Sequence, residues 1–243
     1  ARLSAHELVP YLGPGVLRGV VDRDTGQPLP ADSESLILAM TGGQPMAPRL
    51  MYEFPRAAMH LENKKGRSFI ERFLTQTYGG DNWTPAPLHR WLAGLNLPYI
   101  IDCNRDTQLQ RCYADRPHTL VVGAARIAAS PYRFDIYRFD EGRYRRIDQS
   151  EVDPDLPVLF KPLGTPLPTP SYVASDADFV DYITELMGGF AIPAWLKLRR
   201  KNRRYLFLGM QFNRDTERMV MSDLIHDAAT PAGWALIPSP TAK

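Results

Sequence analysis

The chain is punctuated by short apolar runs that each stop at a glycine or a small polar residue, and no feature constrains its fold more. Leu8–Leu12 runs into Gly13-Pro14-Gly15, Leu97–Ile101 into Asp102-Cys103-Asn104-Arg105-Asp106, Val158–Lys161 into Pro162-Leu163-Gly164-Thr165, and Tyr205–Leu208 into Gly209. Runs this short and this continuously apolar read as strands covered on both faces, the habit of a parallel sheet. Thr119–Gly123 is a further buried strand. Between the runs lie segments with apolar residues at three- and four-residue steps. This alternation predicts an α/β fold around a mostly parallel sheet with flanking helices. If Gly13, Asn104, Gly164 and Gly209 share one sheet edge, they converge on a single crevice.

The helical segments expected are Ser33–Met40 with Ser33 as its cap, Leu50–Glu62, Gly66–Tyr78, Leu88–Leu95, Asp106–Tyr113, Ser175–Met187, Ala194–Arg200 and Thr216–His226. Ser175 with Asp178 forms a capping box that uses Asp for Glu. Arg133–Ile147 reads as a β-hairpin with Phe134, Ile136 and Phe139 on one side and a turn at Asp140-Glu141-Gly142. Trp234–Ile237 is a final strand. There are 22 prolines against about 12 at average usage, so long structured loops are expected.

Composition excludes several classes. With 44% hydrophobic and 23% charged residues the chain is not disordered, and 243 residues can bury a real core. No apolar run reaches the roughly 18 residues that span a bilayer, and Ala1-Arg2-Leu3-Ser4 does not begin a secretory signal, so a cytoplasmic location and no membrane partner are expected. Two cysteines, Cys103 and Cys112, exclude a disulfide scaffold and a four-cysteine zinc module. The five histidines, His6, His60, His89, His118 and His226, show no metal-ligand spacing. No metal role is expected, and Cys103 reads as a small buried residue.

The strand ends, in this order and spacing, resemble the sirtuin-like superfamily, on its broad bacterial side. Val9-Pro10-Tyr11-Leu12-Gly13-Pro14-Gly15-Val16 resembles the family's first strand and Gly-Ala-Gly nucleotide loop. Pro85–Leu95, with His89 inside, is similar to the helix before its second motif. Asp102-Cys103-Asn104-Arg105-Asp106 stands where the family has Thr-Thr-Asn-Tyr-Asp, Phe160-Lys161-Pro162-Leu163-Gly164-Thr165 where it has Tyr-Lys-Leu-His-Gly-Ser, and Leu206-Phe207-Leu208-Gly209 where it has Leu-Leu-Phe-Leu-Gly. The resemblance covers about residues 8–226. It implies one Rossmann-like domain over 1–243, with a helical insertion at 33–95 and a hairpin insertion at 132–147. It also implies a nucleotide cleft, vestigial or residual, at Gly13, Gly15, Asn104, Asp106 and Gly209.

The departures point away from catalysis. The family's general base is a histidine, and Leu163 stands in its place; losing such a group costs about 10²–10⁴ in rate. Asp102 adds a negative charge beside the expected pyrophosphate, and Pro14 removes a backbone N–H from the loop. Asn104 and Asp106 remain, and each has a purely structural use, Asn104 bracing the turn and Asp106 capping the next helix. No catalytic residue and no cofactor are therefore expected, with NAD as the alternative.

Lys197, Arg199, Arg200, Lys201, Arg203 and Arg204 make six of the eight residues from 197 to 204 basic, while the net charge is +2, so the remainder carries −4. This stretch is either a docking surface for an acidic protein or a solvated helix end. Arg143, Arg145 and Arg146 either extend it or cover an edge strand. The hairpin carries Tyr132, Phe134, Tyr137, Phe139 and Tyr144; rings left outside the core suit an interface. The expectation is a non-catalytic accessory factor that binds another protein. Short members of the family resemble accessory proteins of specialised metabolism, nitrogen fixation among them, which implies nitrogenase or a comparable metalloenzyme as partner. A nicotinamide-dinucleotide hydrolase of the bacterial defence type is the alternative, and nucleic-acid binding through the basic stretch the weaker one.

Overall fold

The structure is a computed structural model that describes Leu3 and residues 7–237; Ala1, Arg2, Ser4 and His6 lie outside the described residues. The chain runs β1 (Leu8–Leu12), α1 (Ser33–Met40), α2 (Pro48–Met51), α3 (Phe54–Lys65), α4 (Arg67–Gly79), α5 (Pro87–Gly94), β2 (Tyr99–Asp102), α6 (Gln108–Cys112) and β3 (His118–Gly123). It continues through β4 (Phe134–Asp140), β5 (Arg143–Arg146), β6 (Val158–Lys161), β7 (Gly164–Thr165), β8 (Ser171–Tyr172), α7 (Asp176–Gly188), α8 (Ala194–Arg200), β9 (Arg204–Leu208), α9 (Asp215–Leu224) and β10 (Gly233–Leu236). An eight-stranded sheet has the order β10-β9-β1-β2-β6-β3-β4-β5. Its strands from β10 to β3 are parallel, and β4 and β5 close the far edge antiparallel. The fold is a Rossmann-like α/β sandwich, as the strand punctuation predicts.

Strand alternation divides the interior into two cores. Leu12, Ile100, Leu120, Leu159 and Leu208 face α1 and α3–α6, while Tyr11, Ile101, Val121, Phe160 and Phe207 face α7–α9. Helices on both sides are what make these strands apolar throughout. α1–α5 all fall between β1 and β2, the span read as a helical insertion.

Several local expectations need correction. α1 is capped by Asp32, whose carboxylate accepts from Ser35 N, rather than by Ser33. The segment 50–62 is not one helix: α2 ends at Met51 and α3 begins at Phe54, with Pro55 in the first turn where its missing N–H costs nothing. In α7 the Asp178 carboxylate does return to Ser175 N, at 3.2 Å, and Gly189 ends the helix in the left-handed region at φ 89°. The hairpin turn is two residues, Glu141 and Gly142, both at positive φ, the geometry whose twist matches paired strands. Phe139 is odd in phase with Phe134 and Ile136, so it lies on the opposite face, stacked on His118. Among the described residues no helix is long and apolar enough to cross a membrane.

Candidate functional site

The sheet's switch point lies at β1, which has β2 on one side and β9 on the other. Two loops leave the carboxyl ends of β1 and β9 there and lock onto each other. Gly13 N donates to Leu208 O and Gly15 N to Gly209 O, both at 2.9 Å, and Val16 N to Gly13 O at 3.3 Å. Glycine is needed because the backbones touch. A Cβ on Gly13 would stand 2.8 Å from Gly209 O, one on Gly15 2.9 Å from Gly209 Cα, and Gly209 itself has φ +69°. The amides of a phosphate cradle are thus engaged by the protein's own carbonyls, and Pro14 has none to offer.

Asn104 ties β2 to this pair of loops. Its backbone N and Nδ2 donate to Asp102 Oδ1 at 3.0 and 2.9 Å, and Nδ2 also reaches Gly13 O at 3.0 Å. Gly13, Gly15, Asn104 and Gly209 are therefore brought together. Gly164 is not: it sits in the small β7–β8 ribbon, at φ +91°, where a Cβ would meet Ser171 O at 2.0 Å. Its neighbour Leu163 reaches the crevice instead.

Asp102 does not place an uncompensated charge beside a ligand. Its side chain is fully buried behind Asn104, and Lys161 Nζ, equally buried, lies 2.8 Å from Oδ2. The same ammonium is 3.9 Å from Asp106 Oδ2, and His89 Nε2 is 3.8 Å from Asp102. Burial opposes ionisation of Asp102, but Lys161 and His89 prevail and hold its carboxyl below the usual range. Asp106 Oδ1 accepts from Gln108 N at 2.7 Å, bracing the entry to α6 rather than facing the crevice. The like-charge argument fails because β6 delivers a cation to the spot where β2 delivers the anion.

The crevice that remains is a cavity of about 70 Å³, lined among others by Tyr11, Asn104, Arg105, Leu163, Met210 and Glu217. Pockets that enclose a cofactor run to roughly 300–1,000 Å³. Two of the loop amides that could face a phosphate, Gly13 N and Gly15 N, are engaged, and the cavity is smaller than one that encloses a whole dinucleotide. Arg105 directs Nε and Nη2 at Val173 O and rides 5.4 Å from the Phe54 ring centroid. Burial pushes the Cys103 thiol up to about 12, partly opposed by its hydrogen bond with Tyr11. Glu217, from the first turn of α9, is the residue that sequence reading missed. Burial raises its pKa against the pull of Arg214, and Glu53 adds to the rise. Its Oε2 is buried and has no hydrogen-bond partner among the described residues. Glu217 belongs to no motif, so only the fold brings it to the cavity.

The basic stretch divides. Arg200 is buried and donates Nη1 to Asp223 O and Leu224 O, at 2.7 and 3.0 Å, at the carboxyl end of α9. Lys197 caps the end of α7 through Gly189 O. Lys201, Arg203 and Arg204 stay exposed, at the strand end opposite the crevice, and Arg199 is half-buried, touching Pro154 O at 3.4 Å. The hairpin arginines cover the edge strand: Arg145 pairs with Glu151, and Arg146 with Asp135. Phe134, Tyr137 and Phe139 are core residues, and Tyr144 packs on His118, whose pKa burial lowers to about 4.

Tyr132 is different. It is 41% exposed, lies 6.3 Å from the ring of Phe190 (44% exposed), and Arg133 N holds Phe190 O at 2.9 Å. Met187, 77% exposed, stands in the last turn of α7, and Lys197 reaches Gly189 O just after it. Tyr132, Phe190 and Lys197 thus meet at the turn after α7, while Lys201, Arg203 and Arg204 lie toward the other end of the strands. Among the described residues no group of three or more His, Cys, Asp or Glu could hold a metal ion, and both cysteines are free. No family model matches the chain, and no curated protein matches it.

Proposed function

We propose that this chain is a non-catalytic, sirtuin-like accessory factor that works in the cytoplasm by binding another protein. The observation that carries the reading is the turn after α7, where exposed Tyr132 and Phe190 meet Lys197, the first cation of a stretch whose Lys201, Arg203 and Arg204 are exposed beyond it. Aromatic residues, Met and Arg are the enriched chemistry of interface cores, and the cations select a partner with an acidic surface. The crevice supports it from the other side, since Leu163 is no base and the loop amides are occupied. Nitrogenase or a comparable metalloenzyme is the partner that the sirtuin-like resemblance suggests. The test is pull-down of tagged protein from its native cells in several metabolic states, beside a Tyr132→Asp, Lys201→Glu variant. A stoichiometric partner captured by the wild type and lost by the variant is expected; no stoichiometric partner in any state removes the reading.

One observation favours a second reading, hydrolysis of a nicotinamide dinucleotide: Glu217 supplies the cavity with the proton acceptor that Leu163 does not. Dinucleotide consumption by the purified chain, abolished in Glu217→Gln and in Asn104→Ala, would establish this alternative and end the first.

A further inference from the structure

A second concavity lies on the other side of the molecule's chemistry, between α5 and α6, and neither reading above uses it. Its volume is about 600 Å³, within the range of small-molecule sites. Arginines enter it from three segments: Arg23 from the loop after β1, Arg90 from α5, and Arg111 and Arg116 from α6 and its exit. Their states differ. Arg111 is held by Thr107 Oγ1 and Gly80 O, both at 2.8 Å, and by Asp81 at 2.6 Å. Arg116 is held by Asp115, at 2.7 Å, and by Ala93 O, at 3.0 Å. The Arg23 side chain has one contact, Asp81 O at 3.0 Å, and the Arg90 side chain has no hydrogen-bond or ion-pair partner among the described residues. Asp115 is the acidic residue lining the groove, and Arg116 already neutralises it. Among the described residues, two guanidiniums are therefore left without an ion-pair partner over one concave site.

The lining also has an apolar part. Trp83, Pro85, Ala93 and Gly94 line the groove. The indole is fixed in place by its N–H on Thr77 O at 2.8 Å. Gln108 pins the loop above it, accepting from Ala86 N at 2.9 Å and donating to Thr84 O at 3.0 Å. A rigid ring beside free guanidiniums matches a ligand with a flat face and a phosphate. Inorganic phosphate alone would leave most of the volume and the whole apolar lining unused.

We propose that the groove between α5 and α6 binds a nucleoside phosphate, with the base against Trp83 and the phosphate on Arg90 and Arg23. The site is separate from the β1/β9 crevice and does not depend on the protein-binding reading. Adenosine 5′-monophosphate, adenosine and inorganic phosphate, titrated by calorimetry and tryptophan fluorescence, test it. The monophosphate is expected to bind saturably and more tightly than either half. Arg90 is exposed and unpartnered, so Arg90→Glu leaves the fold intact; it should weaken binding roughly tenfold to hundredfold, the range of a lost charged hydrogen bond. Cys112, half-buried in the same lining, gives a second readout, and the monophosphate should slow its alkylation in the wild type. Three results would each overturn the proposal: no saturable binding of the monophosphate, binding unchanged in Arg90→Glu, or phosphate alone binding as tightly as the monophosphate.

Discussion

Lys161 and Lys201 carry the same ammonium group at opposite ends of the parallel strands, and they do opposite work. Lys161 has no exposed area and stands between Asp102 and Asp106 where β2 and β6 deliver their carboxyl ends. Lys201 follows α8 in a run of cations, in water. A charge in water costs little and contributes little to stability, whereas a buried one must be matched or the fold suffers. The run of charges is conspicuous in the sequence and nearly irrelevant to folding; the solitary lysine in an apolar strand is inconspicuous and central.

The contrast is sharpest if Lys161 is removed. Lys161→Met leaves Asp102 buried with only His89 beside it, and about 3–5 kcal/mol of stability should go, read as a shift in denaturant midpoint. A loss under about 1 kcal/mol would break the comparison, because it would mean the pair is not the anchor it looks to be. The pH dependence carries the same contrast. The folded Asp102 carboxyl lies below its usual range, so its contribution is fully present above the unfolded value of about 3.9 and is lost as pH falls toward the folded value. In Lys161→Met, burial opposed only by His89 raises Asp102 instead, and that part of the profile should invert, with stability gained toward low pH. Unfolding free energies of both proteins between neutral and acid pH decide the sign.

Arg200 tests the middle ground, a member of the basic run that is nevertheless buried. Arg200→Met strips two carbonyls at the carboxyl end of α9 of their donor and should cost about 2 kcal/mol by thermal or chemical unfolding. At the small end, Lys201→Glu with Arg204→Glu should change stability by less than about 0.5 kcal/mol while weakening capture of an acidic partner. If the double variant instead unfolds the protein, these two exposed cations are structural and the division of the run is wrong.

The strands were legible because burial on both faces leaves a run of apolar residues with nothing to interrupt it, and β1 and β6 match their expected bounds to the residue. Asn104 was legible too, as a small polar residue at a strand end, and its structural use is the one it shows. Glu217 was not legible. It stands in an ordinary amphipathic helix, and nothing local distinguishes it from Asp215, which is exposed on the same first turn. Asp102 was legible as a charge but not as half of a pair, since Lys161 lies 59 residues away.

Local chemistry therefore decided the elements of this protein: apolar runs, turn glycines, and a proline in the first turn of α3. These are short-range effects, and a chain displays them directly. Which groups face one another was settled only by the sheet, because β6 inserts between β2 and β3 and places a lysine against an aspartate, while the α7–α8 turn sets Phe190 against Tyr132. Desolvation and charge pairing act through space, and the distance they respond to is not the distance along the chain.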